Sequence, residues 1–75
     1  MSSLSVVPAY GRDYKSKATV IEALKSNEDF KISDMSSQWD GKPGNLTDFK
    51  REGITSLTVR YGKLMKVTVV DITKL

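Results

Sequence analysis

Cysteine and histidine are both absent from the 75 residues. No disulfide can staple the fold, no thiolate can bind a metal, and imidazole is missing both as a zinc ligand and as a general base. Nucleophilic triads in their usual forms are excluded with them. The carboxylates are scattered, and no loop has the alternating Asp/Asn pattern with a closing Glu that calcium loops use. Neither a metal nor a cofactor is expected, and among the candidate acids Asp13, Asp34, Asp40, Tyr10 and Tyr14 no pair is spaced to share a helical face, so the expectation is a protein that is not an enzyme. Long apolar runs are also missing. Nothing approaches the roughly 18 residues that cross a bilayer, and residues 1–8 lack the basic segment and apolar core of a secretion signal, which points to a cytosolic protein with no membrane partner.

What remains is a chain long enough for one domain, residues 1–75, with a thin core that must hold by packing alone. The net charge of +3 is unevenly spread: residues 1–20 carry +2, residues 21–40 carry −3 and residues 41–75 carry +4. A mild basic excess at both ends suits an acidic protein surface or nucleic acid.

Taken in order, residues 4–7 form an apolar run stopped by Pro8, and this reads as a first strand at a sheet edge. Residues 8–17, Pro-Ala-Tyr-Gly-Arg-Asp-Tyr-Lys-Ser-Lys, follow as a loop that turns at Gly11. Ser16 is placed to cap a helix over 17–26, whose apolar positions Val20, Ile21 and Leu24 recur at helical spacing, and Asn27 suits a left-handed end. Phe30 and Ile32 alternate with Lys31 and Ser33, the period of a half-buried strand over 30–35. Residues 36–45 hold Trp39, Asp40, Gly41, Lys42, Pro43 and Gly44 and read as a loop; Trp39 there either closes one end of the core or anchors a partner. Asn45 can cap a short second helix that Gly53 ends.

Residues 54–72 carry the strongest pattern, an alternation broken at Gly62 and Lys63 that reads as a β-hairpin. A two-residue loop would set Val59 against Lys66. A three-residue loop pairs Tyr61 with Met65, Val59 with Val67 and Leu57 with Val69, leaving Thr58, Arg60, Lys66 and Thr68 outside, and this register is expected. The element order β-α-β-α-β-β predicts an α+β fold: a small, mainly antiparallel sheet with helices on one face and a C-terminal hairpin.

The 8–17 segment and its helix, then Asn27-Glu28-Asp29-Phe30, the Asp40-Gly41-Lys42 turn, and Arg60-Tyr61-Gly62-Lys63-Leu64 with Lys66-Val67, together resemble a group of small tailed-bacteriophage proteins. The likeness spans nearly the whole chain and is most specific in the opening decapeptide. It implies the bacterial host cytoplasm and an accessory role during infection, such as host takeover.

Three kinds of site follow from the residues. In the first, Tyr10, Arg12, Tyr14, Lys15, Lys17 and Trp39 anchor a host or phage protein, since Tyr, Trp and Arg dominate interface energetics. In the second, Arg60, Lys63 and Lys66 on the hairpin, with the basic residues of the opening segment, hold the backbone of single-stranded nucleic acid while Tyr10 or Tyr14 stacks on bases. The third is an anion at the start of the first helix, beside Gly11, Lys15, Ser16 and Lys17, although the spacing is not that of a P-loop and Ser16 has capping to do. An uncovered sheet edge would in addition allow a homodimer.

Overall fold

A computed structural model of the chain describes residues 2–9, 11–33 and 42–75. Tyr10, Trp39, the 34–35 end expected for the second strand and the Asp40-Gly41 turn lie outside the described residues.

Both helices begin where a side chain can satisfy their unpaired amides. The Thr19 N–H donates to Ser16 Oγ at 3.3 Å, and the Ser16 N–H donates back to Thr19 Oγ1 at 3.1 Å, which starts α1 at Lys17–Lys25. In the same way the Asp48 N–H donates to Asn45 Oδ1 at 3.1 Å, and the Asn45 N–H to Asp48 Oδ2 at 3.3 Å, starting α2 at Leu46–Arg51. Past the end of α1, Asn27 takes the left-handed conformation expected of it, with φ 61°. From there its side chain reaches the next helix: Asn27 Nδ2 donates to Thr47 Oγ1 at 2.9 Å, and the Thr47 N–H donates to Asn27 Oδ1 at 3.2 Å. One residue thus ends α1 and ties it to the first turn of α2.

The strands are β1, Ser2–Pro8; β2, Phe30–Ile32; β3, Ile54–Tyr61; and β4, Lys66–Asp71, followed by a single 3-10 turn at Ile72–Lys74. The α+β class is as expected, but the sheet is mixed. In the order β2-β1-β3-β4, β1 runs antiparallel to β2 and parallel to β3, while β3 and β4 form the antiparallel hairpin. β1 is therefore central, not an edge. Pro8 misled because it is the last residue of β1, where a missing N–H interrupts no interior ladder bond. Leu4 and Val6 of β1 are buried between their neighbours, a position an edge strand would not need.

Alternation sorts the sheet into two faces. Leu4, Val6, Phe30, Leu57, Val59 and Val70 point inward and join Val20, Ala23 and Leu24 of α1, Phe49 of α2 and Ile72 in one buried cluster. Ser5, Thr58, Arg60, Val67 and Val69 belong to the opposite face by register.

The hairpin register differs from expectation by one residue. Tyr61 pairs with Lys66, Val59 with Thr68 and Leu57 with Val70, so residues 62–65 form a four-residue connection. The Met65 N–H donates to the Gly62 carbonyl at 3.2 Å, and both residues have positive φ, 75° at Gly62 and 52° at Met65. A slip of one residue exchanges the two faces of a strand. The three-residue loop would have buried Val67 and Val69, whereas the observed one buries Val70 and brings in Ile72 behind it. The outer face consequently carries Thr58 and Arg60 with Val67 and Val69, and Lys66 and Thr68 move to the inner side.

Candidate binding cleft

Residues 11–16 are held by a carboxylate from beyond α1. Gly11, at φ 70°, makes the turn foreseen for it, closed by the Arg12 N–H donating to the Ala9 carbonyl at 3.2 Å. The chain then runs past Glu28, whose Oε1 receives both the Arg12 guanidinium at 2.7 Å and the Tyr14 hydroxyl at 3.0 Å. The Tyr14 ring also lies 5.7 Å from that of Phe30, a buried core residue. Burial and the hydrogen bond to Glu28 push the Tyr14 hydroxyl up to about 12, because both favour the neutral phenol.

This anchoring sets the segment against the hairpin tip. Glycine is required at 62 by its φ, and a side chain there would meet the Tyr14 carbonyl at 3.7 Å. Between the two loops lies an open cleft of about 280 Å³ lined by Asp13, Lys15, Gly62, Lys63, Leu64 and Lys66. Its lining holds three lysines and one aspartate. Leu64 stands over the rim, 84% exposed, with Met65 beside it at 56%. A second hollow of about 230 Å³, formed by Lys42, Pro43, Asp48, Arg51 and Glu52, has equal numbers of cations and carboxylates, and Arg51 lies 3.7 Å from Asp48. Only the first of these two has a net field.

The residues expected to bind are thereby redistributed. Lys15, assigned to a protein surface, joins Lys63 and Lys66, assigned to nucleic acid, in the same cleft. Arg12 and Tyr14 support the cleft wall through Glu28; Tyr14 is half-buried, while Arg12 remains exposed. Lys17 opens α1 and is exposed outside the cleft lining. Arg60 is on the outer face, paired with Val67, and so points away from Lys66 across the sheet. At the start of α1 the Ser16 side chain is engaged in its own cap.

Asp13, Glu28 and Leu64 were not assigned to a binding site from the sequence. The acidic pair Glu28-Asp29 directly after the left-handed Asn27 was the available sign of an anchor, but nothing local connects it to a tyrosine fourteen positions earlier. No protein-family model, no curated protein and no solved structure matches the chain. Among the described residues, no helix is long and apolar enough to cross a membrane.

Proposed function

We propose that the chain is a phage accessory protein that acts as a non-catalytic binding module, taking an acidic segment of a host or phage protein into the cleft between residues 11–16 and the hairpin tip. The observation that carries this reading is the convergence of Lys15, Lys63 and Lys66 on one hollow rimmed by exposed Leu64. Clustered cations steer an acidic partner and fix its register, while an apolar side chain at the rim supplies burial on contact.

Single-stranded nucleic acid fits the same charges less well. Its recognition relies on aromatic faces for stacking, and among the described residues the tyrosines near the cleft, Tyr14 and Tyr61, are both half-buried. Tyr14, the weak acid of the cleft wall, is pushed away from the neutral range in which an acid or base works.

The test compares the immobilised protein with its Lys15→Glu/Lys63→Glu/Lys66→Glu variant in nuclease-treated bacterial lysate, with and without phage infection. A stoichiometric protein retained by the first and lost from the second is expected. A partner held equally by both would refute the cleft. Tight, salt-sensitive binding of a labelled oligonucleotide, with no protein retained, would replace this reading with the nucleic-acid one.

A further inference from the structure

The two edges of the sheet are unlike. β2 has only three residues, and its outer side is already engaged: the Phe30 N–H donates to the Gly44 carbonyl at 2.7 Å and the Gly44 N–H returns to Phe30 at 2.9 Å. β4 has six residues and is the last strand in the order, with a register against β3 that runs without interruption. Natural edge strands are usually blunted by proline, a bulge, shortness or charges along their length. β4 has no proline and no bulge, and its charges sit only at its ends, Lys66 and Asp71. Between them Val67 and Val69 project from the outer face, 57% and 59% exposed.

We infer that β4 pairs antiparallel with β4 of a second copy, about a two-fold axis through Thr68, to make a continuous eight-stranded sheet. The strand's own sequence selects this partner and register. Antiparallel partners must lie on the same face, so the sum of paired residue numbers is even when a strand meets itself. Pairing Thr68 with Thr68 sets Val67 opposite Val69 of the other copy, and Val69 opposite its Val67, joining four valines into one apolar patch. Arg60 and Thr58 flank the patch from β3 of each copy, because they are the cross-strand neighbours of Val67 and Val69. An unrelated extended peptide would need this valine spacing by coincidence; a second copy has it by symmetry.

The inference concerns the β4 edge, which shares only Lys66 with the cleft lining, and goes beyond the proposed partner. It also limits the assembly. Pairing uses β4, the edge that no other described strand pairs, and leaves two three-residue β2 edges bridged to Gly44 at Phe30, so growth stops at two. A single strand pair buries less than a standard interface, so the dimer belongs in the micromolar-to-millimolar range.

Sedimentation equilibrium over roughly 10 μM to 1 mM at physiological salt tests it. The mass should climb from 8.3 kDa towards twice that value and no further. Val67→Lys/Val69→Lys and Val67→Glu/Val69→Glu should each stay monomeric, since each sets like charges opposite one another across the axis. Their equimolar mixture should dimerise again, because lysine then faces glutamate at both positions. Circular dichroism of the two variants checks that these exposed changes leave the fold intact. A wild-type protein that stays monomeric to the highest concentration overturns the inference. So does assembly beyond the dimer, a double variant that still dimerises alone, or a mixture that does not recover.

Discussion

Glu28 Oε1 accepts from two donors of the same loop, and those two contacts differ in what they hold. The Arg12 pair is largely exposed, and pairs of that kind contribute about 0–1 kcal/mol. The Tyr14 hydrogen bond is backed by a ring against Phe30, so it fixes position as well as charge. Its pH dependence follows from the sign of the shift. The Tyr14 hydroxyl ionises near 10.0 when unfolded and near 12 when folded, so the folded state favours the neutral form. Its contribution to stability is whole below pH 10 and disappears as pH rises from 10 towards 12. Urea midpoints measured across that window should fall for the wild type, with a clearly shallower fall for Tyr14→Phe. At neutral pH the variant should lose roughly 0.5–1.5 kcal/mol, the usual net value of one hydrogen bond; equal slopes above pH 10 would show that Tyr14 is not the group titrating. The turn at Gly11 and the Ser16 cap within residues 8–17 were legible in the sequence. That Tyr14 is a support was not, because its partners, Glu28 and Phe30, lie beyond an entire helix.

Among the elements, helix ends were the most legible feature and strand register the least. Ser16, Asn27, Asn45 and Gly53 occupy the places their side chains or φ values favour, because capping is decided within about four residues. Register is decided by which residues the helices cover. Val67 and Val69 looked like core by alternation, yet α2 and the turn after β4 require Val70 and Ile72, and the loop lengthens by one residue to provide them. The longer loop puts Met65 at φ 52°, a conformation that costs an L-residue roughly 1–2 kcal/mol. Met65→Gly removes that strain and forfeits about 0.5–1 kcal/mol through the more flexible unfolded chain. A net gain of several tenths of a kcal/mol in urea unfolding is therefore expected. A loss would mean that Met65 makes contacts worth more than its backbone strain.

The whole molecule is 18 Å across its shortest axis, room for one sheet and one layer of helix. Among the described residues the buried cluster lies on one side of the sheet, and no disulfide supplements it. Phe30 joins most of what matters: it is in the core cluster, its ring meets Tyr14, and its backbone closes the β2 edge with Gly44. Phe30→Ala should cost about 3–5 kcal/mol, against the 5–15 kcal/mol typical of a folded domain and with a chain this short at the low end. Thermal melts by circular dichroism should show a large fall in midpoint or no cooperative transition at all; a change of only a few degrees would place the core elsewhere. The class of the fold could be read from the order of its elements. The place of β1 could not, since a strand's neighbours in a sheet depend on segments far along the chain.

That placement determines when the protein can form. Leu4 pairs with Leu57, 53 positions later, and Val6 with Val59 at the same separation. The N-terminal strand is the centre of the sheet, so it must stay unsatisfied along one side until β3 has been synthesised and has found it. Closing so long a loop costs chain entropy before any contact returns it, which puts folding on the slow side for a domain of this size. Chains cut short before β3 would display β1 as a bare apolar strand, open to whatever else in the cell can pair with it.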